Sequence, residues 1–300
     1  MQFGQGSAEG VSLKLPPLDK DPLKVGPRSN EPVTVILGAP IWGCAGWKGT
    51  LYPEKARVQD FLKHYGDALP AIELNATFYG IPTRERLEKW TEQTPPQFHF
   101  CPKVPRAVSH SNDIKTRLEV FDRFWKEFAV LGERWGISFL QLPETFDTRS
   151  MKTLERVLQL KPEKAPLAVE FRHPSWFSEN ALIPEAKGLL EFLSCSAAIS
   201  DTLAKRHTLH QSFIGRDVMV RFLGTEDPAS DRERLTHWAT RLEEISQEGV
   251  ESVYFFVHQP HEEFAAETLA RFSDMLLERG VVKLARPVKL FSESQNDLFS

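Results

Sequence analysis

Short apolar runs recur along the chain at Val33–Leu37, Ala71–Leu74, Phe98–Val104, Ile137–Leu142, Leu167–Phe171, Ser194–Ser200, Val218–Leu223 and Val253–Val257. The segments between them mostly carry apolar residues at i, i+3 and i+4, the spacing of a helix with one buried face. Val58, Phe61, Leu62 and Tyr65 make one such face, and Leu118, Phe121, Phe124, Trp125, Phe128 and Leu131 make a stronger one. Further faces are Met151, Leu154, Val157 and Leu158, then Leu235, Trp238, Leu242 and Ile245, then Leu269, Phe272, Met275 and Leu276. Strands that alternate with helices pair in parallel through crossover connections. Nothing divides the middle of the chain, so the pattern predicts an α/β fold, a single (β/α)8 TIM-type barrel over residues 33–286. Thr202–Arg216 lacks a helical period, and one helix between the sixth and seventh strands is expected to be missing or replaced by a loop.

Residues 1–32 read differently. Gly4, Gly6, Gly10, Pro16, Pro17, Pro22, Gly26, Pro27 and Pro32 fall there without any apolar period. That composition predicts an extended or disordered tail that adds nothing essential to the core. Residues 287–300 are read as a second, shorter tail.

Charge and cysteine content narrow the function class. The 300 residues carry 37 Lys and Arg against 41 Asp and Glu, a net charge of −4 with no basic run. Such a surface is poorly suited to coating nucleic acid or anionic lipid. Cys44, Cys101 and Cys195 are odd in number and lack metal-knuckle spacing, which fits a reducing, cytoplasmic setting. No apolar run reaches membrane-spanning length, and the N-terminus lacks a signal-peptide pattern. No glycine-rich nucleotide loop occurs, so no tightly held nucleotide cofactor is expected.

The polar residues concentrate where strands end, which is where a barrel keeps its chemistry. Glu73 and Asn75 close the second run, with Tyr79 beyond. Lys103 closes the third and Gln141 the fourth. Glu170, Arg172, His173 and Trp176 follow the fifth, Asp201 the sixth, Arg221 lies in the seventh, and His258 ends the eighth. A parallel strand covered on both faces should be almost continuously apolar, so buried charge there is costly unless paired. Two readings compete: a functional site, or structural ion pairs that plug the barrel mouth.

The same residues resemble a known family. Ile41-Trp42-Gly43-Cys44-Ala45-Gly46-Trp47, Tyr52-Pro53, Ile72-Glu73-Leu74-Asn75-Ala76-Thr77-Phe78-Tyr79 and Lys103-Val104-Pro105-Arg106 look like successive motifs of the domain of unknown function 72, or YecE-like, family. Gln141-Leu142-Pro143, Glu170-Phe171-Arg172-His173-Pro174-Ser175-Trp176, Ser200-Asp201-Thr202 and Val220-Arg221-Phe222 continue the resemblance in order, over about residues 35–280. It implies a TIM-type barrel and no established reaction. The sequence departs from the family pattern at the eighth strand. Val257-His258-Gln259-Pro260 stands where many relatives have an aromatic and two asparagines, which makes His258 a candidate ligand-binding residue of this branch.

Several chemistries fit this set. Glu73 and Glu170 could flank a glycosidic bond, with Trp47, Trp176 or Tyr79 stacking on sugar. Lys103, Arg172 and Arg221, with Arg106 near, instead favour a small anionic ligand. In that reading Glu73 or Glu170 is the base, Lys103 or His173 the acid, and Asn75, Gln141, Asp201 and His258 bind substrate. A divalent-metal isomerase or phosphodiesterase could draw on Glu73, Glu170, Asp201, His173 and His258, although no local metal motif occurs. A non-catalytic barrel that binds a ligand or nucleic acid at the rim is the remaining class. The expected partner is a small anionic or sugar-like ligand.

Overall fold

A computed structural model describes residues 10–19, 31–246 and 248–291. Eight parallel strands occupy the predicted runs: β1 Thr34–Ala39, β2 Ala71–Leu74, β3 His99–Pro102, β4 Ser138–Gln141, β5 Leu167–Glu170, β6 Ser196–Asp201, β7 Asp217–Leu223 and β8 Ser252–His258. Their spatial order is β3-β2-β1-β8-β7-β6-β5-β4, and every neighbouring pair is parallel. The two ends of this sheet meet through Val104 N–H donating to the Phe139 carbonyl at 2.9 Å and Gly136 N–H to Phe100 at 3.0 Å. The result is a nearly closed barrel.

Helices α1 Phe61–Ala68, α2 Arg84–Glu92, α3 Arg106–His110, α4 Ile114–Phe128, α5 Met151–Leu158, α6 Pro184–Phe192, α7 Pro228–Ile245 and α8 Ala265–Arg279 surround it. Their ends follow local chemistry. The Asp113 carboxylate accepts from the N–H groups of Lys115 and Thr116 at the start of α4, and Asp227 does the same for α7 ahead of Pro228. Gly280 ends α8 at φ 65°, a left-handed conformation that a side chain resists. Between β6 and β7 a 3-10 turn, Leu203–Thr208, and an extended loop replace a helix. No helix among the described residues is long and apolar enough to cross a membrane.

Strand alternation separates two cores. Residues facing out toward the helices form the larger one, and Ile36, Ala71, Cys101, Ile137, Phe139, Ala168, Ala198, Met219, Tyr254 and Phe256 fill the barrel. The filling is close. A Cβ on Gly38 would meet the Ala71 carbonyl oxygen at 2.4 Å and the Phe256 ring at 2.7 Å.

Both terminal segments hold more than the sequence predicts. Residues 10–19 form no helix or strand, yet Leu15 and Leu18 pack on the core. Asp19 accepts from Ser212 Oγ at 2.6 Å and pairs with Lys187 Nζ at 3.1 Å, and Arg241 Nη2 donates to the Pro16 carbonyl at 2.8 Å. This segment is a strap across α6, α7 and the loop before β7, because a chain without its own periodicity can still be fixed by backbone carbonyls and one carboxylate. Residues 20–30 of the expected tail lie outside the described residues. At the other end Val288 is buried and its N–H donates to Ser273 Oγ at 3.0 Å, so the packed body extends past 286.

Candidate functional site

One side-chain layer of the barrel is polar. Glu73 shares its face with Ala71, Lys103 with Cys101, Gln141 with Phe139, Glu170 with Ala168, Arg221 with Met219 and His258 with Phe256, so each continues an inward row at the C-terminal end. Arg221 is only 2% exposed and lies at the centre. Its Nε and Nη2 donate to Glu73 Oε2 and Oε1 at 3.0 and 2.9 Å, while Nη1 donates to Glu170 Oε2 at 2.9 Å. The guanidinium thus braces both glutamates. Asn75 Nδ2 and His258 Nε2 complete the Glu73 shell at 2.7 and 3.0 Å. Because an ionised carboxylate only accepts, His258 carries its proton on Nε2. Gln141 Nε2 donates to both oxygens of Glu170 at 2.9 Å and turns its Oε1 to Lys103 Nζ at 2.8 Å. Arg172 Nε approaches Glu170 at 3.8 Å, and its Nη2 reaches Glu144 on the rim at 3.3 Å.

These partners set the protonation states. Burial opposes charge on Glu73, but Arg221 and His258 outweigh it and hold the carboxyl well below its usual range. Burial likewise opposes charge on Glu170, while Arg221 and Arg172 draw its pKa down. Lys103 behaves in the opposite way. Burial and then the Arg221 charge lower its pKa to about 8, against the upward pull of the two glutamates. Its ammonium lies 4.4 Å from the Phe78 ring centroid and 5.6 Å from that of Phe139. The backbone is clamped too: Thr77 Oγ1 donates to the Lys103 carbonyl at 2.6 Å.

Lys103 lines a cavity of about 190 Å³ together with Asn75, Phe78, Tyr79, His258, Gln259 and the acidic residue Glu262. Glu73, Gln141, Glu170 and Arg221 lie behind it and do not line it. Tyr79 is 85% exposed at the opening.

Four predicted site residues stand apart from this layer. Asp201 faces the helices, where it accepts from Trp238 Nε1 at 2.8 Å and pairs with Arg234 at 2.8 Å and Arg206 at 2.6 Å. The inward residue of β6 is Ser200, in register with Arg221, and its buried Oγ has no hydrogen-bond partner among the described residues. Trp47 is buried against Tyr52 and Tyr65 and donates to the Glu262 carbonyl at 2.9 Å. Trp176 is buried against Phe171 and donates to the Phe146 carbonyl at 2.6 Å. His173 Nδ1 accepts from Ser175 N–H at 3.1 Å and caps the turn Pro174–Trp176. Neither tryptophan has a free face for a sugar. The expected cation clamp changes as well, because every nitrogen of Arg221 is already bonded to a glutamate. Phe78, Phe139 and Gln259 were missed as site residues. Phe139 could have been found, since it precedes Gln141 by two on the same strand face.

No group of three or more His, Cys, Asp or Glu side chains among the described residues is arranged to hold a metal ion. A cation between Glu73 and Glu170 would have to displace Arg221.

The profile of the family described as "Protein of unknown function DUF72" matches residues 36–289. The chain is 26% identical to the UPF0759 protein YecE of Escherichia coli K12 over 244 residues, which is 75% of this chain and 86% of that protein. It is 31% identical to the UPF0759 protein YunF of Bacillus subtilis 168 over 149 residues, 45% of this chain and 51% of that one. Crystal structures of DUF72 family proteins share the barrel. The one from Thermotoga maritima has a TM-score of 0.65 at 25% identity, covering 81% of this chain and 99% of that one. The one from Enterococcus faecalis has a TM-score of 0.65 at 20% identity, covering 82% and 98%. With its profile matched across the whole barrel, the chain belongs to the DUF72 family.

Proposed function

We propose that the barrel mouth is the active site of an enzyme that acts by general acid–base chemistry on a small anionic substrate, with Lys103 as the proton carrier. The observation that carries this reading is the contrast between Lys103 and its neighbours. Glu73, Glu170 and Arg221 neutralise one another behind the cavity, whereas Lys103 lines the cavity and its ammonium has, among the described residues, one side-chain hydrogen-bond acceptor, Gln141. A lysine with its pKa near 8 gives and takes a proton close to neutral pH, which a solvated lysine does poorly. The charges of the mouth balance: Arg221, Lys103 and Arg172 face Glu73 and Glu170, Lys205 matches Glu144 on the rim, and Glu262 lines the cavity, so an anion would be held by Lys103 itself and not by a net positive field.

Asn75, Tyr79, His258, Gln259 and Glu262 are the polar groups placed to orient a ligand in the cavity, and Phe78 gives it an apolar wall. The two-carboxylate glycosidase reading lacks its acid. Such a mechanism needs one carboxyl with a raised pKa, and both glutamates are pulled down by the same guanidinium.

The test is calorimetric binding of hydroxy acids and sugar phosphates at pH 8.5 in buffers of different ionisation enthalpy, with neutral sugars as the control. An anion beside Lys103 raises its pKa, so binding should take up a substantial fraction of a proton. Lys103→Met should abolish the uptake. Tight binding of neutral sugars with no proton uptake would overturn the reading.

A further inference from the structure

A second cavity, of about 260 Å³, opens between the loops that follow β3 and β4. Its polar lining is Arg117, His110, Asn112, Thr145, Ser150 and Thr153, with no Asp or Glu among the lining residues. Arg117 is a buried charge, 8% exposed, on the inner side of α4. It has no carboxylate partner among the described residues. Its Nη1 donates to the carbonyls of Val108 and Ser109 at 2.5 and 3.1 Å, and the guanidinium lies 5.6 Å from the Phe146 ring centroid. Contrast Arg221 and Arg234, which are more deeply buried and each meet two carboxylates. A buried guanidinium without a counter-ion is costly to fold around, and an anion relieves that cost.

The field around His110 has the same sign. Burial lowers the His110 pKa first, and Arg106, Lys103, Arg117 and Arg172 each lower it further. Three hydroxyls and one amide supply neutral donors beside Arg117, and the neighbouring carboxylates Asp113 and Asp147 are engaged at the starts of their own helical turns. That combination suits a tetrahedral oxyanion with several acceptor oxygens, not a flat neutral ring.

We propose that this cavity is a phosphate-binding site. It is coupled by position to the mouth, because the Phe78 ring meets both the Lys103 ammonium, at 4.4 Å, and the His110 ring, at 5.5 Å. The substrate class that follows is a small phosphate monoester, its phosphate held by Arg117 and its reacting end beside Lys103. This last step rests on the reading of the mouth as the active site; the phosphate site itself does not.

The test uses inorganic phosphate against chloride at fixed ionic strength, read by thermal shift and calorimetry on the full chain. Thr153→Glu and, separately, Ser150→Asp each place a carboxylate in the cavity beside Arg117 and spare the bonds Arg117 makes to α3. Phosphate should raise the midpoint of the wild type saturably, and either variant should weaken its binding at least tenfold. Lys103→Met should retain the phosphate shift. Loss of the shift in Lys103→Met with retention in both carboxylate variants would move the anion to the mouth and overturn the proposal. So would the absence of any saturable phosphate effect on the wild type. If phosphate binds as proposed but no anion takes up a proton at Lys103, the phosphate site stands and the mouth reading fails.

Discussion

Arg221 grips Glu73 through two parallel bonds, Nε to Oε2 at 3.0 Å and Nη2 to Oε1 at 2.9 Å, across the barrel from β7 to β2. Neither residue is exposed to any useful extent. The pair explains how a barrel core tolerates charge, and it fixes Glu73 as an ionised acceptor on which Asn75 and His258 are oriented.

Removing the arginine alone should be severe. Arg221→Met leaves two buried carboxylates facing one another, and the loss should be about 3–5 kcal/mol by the usual cost of stranding a buried charge. Adding Glu73→Gln and Glu170→Gln should recover part of it. Denaturant unfolding of the single and triple variants checks this; equal stability of the two would mean that the network is not what Arg221 stabilises.

Asp201 belongs to the barrel–helix layer, so its replacement should separate stability from binding. Asp201→Asn weakens contacts to Arg206, Arg234 and Trp238 and should lower the thermal midpoint clearly. Anion binding at the mouth should be unchanged within twofold. A selective loss of binding with no loss of midpoint would return Asp201 to the site.

The site was legible in the sequence through strand parity, and its errors came from the same source. Glu73, Lys103, Gln141, Glu170, Arg221 and His258 stand out because charge and amide groups interrupt apolar strands at one end. At β6 the interruption is double, Ser200 then Asp201, and the charged residue is the one that faces outward. Parity shows which of the two points inward only once the register with Arg221 is known. Trp47 and Trp176 were misleading because a tryptophan next to polar motifs is equally suited to packing, and their indole N–H groups find backbone carbonyls. The helix missing after β6 was legible, because no apolar period runs through Thr202–Arg216. Nothing in residues 10–19 signals their anchoring, since the partners Lys187, Ser212 and Arg241 lie far along the chain.

Truncation should therefore destabilise. A chain beginning at Glu31 loses the Asp19 contacts and the packing of Leu15 and Leu18. The midpoint should fall on the order of 5–10 °C, given about 2–4 °C per kcal/mol for a domain of this size. An unchanged midpoint would mean that the strap contributes nothing.

Stability should respond to pH through Lys103 in a defined sense. Its folded pKa, about 8, lies below its ordinary 10.5, so the unfolded chain binds more protons between those values. Stability attributable to this residue must then rise with pH from 8 to 10.5, by roughly 3 kcal/mol at most at 1.36 kcal/mol per unit. Glu73 and Glu170 act at the other end. Their lowered values mean that the stability they add is present above the ordinary carboxylate range and is lost as pH falls through their folded values. Subtracting the Lys103→Met profile isolates the alkaline part. A difference that is flat or falls with pH contradicts the assignment.

The central claim is that Lys103 exchanges a proton near neutral pH, and its own titration tests that most directly. Nuclear magnetic resonance of the lysine side-chain Cε–Hε groups, with the Lys103 signal assigned by its disappearance in Lys103→Arg, follows one residue through pH 6–11. The account predicts a midpoint close to 8 in the free protein, moving upward when an anion binds. A midpoint at or above the ordinary 10.5 would contradict it.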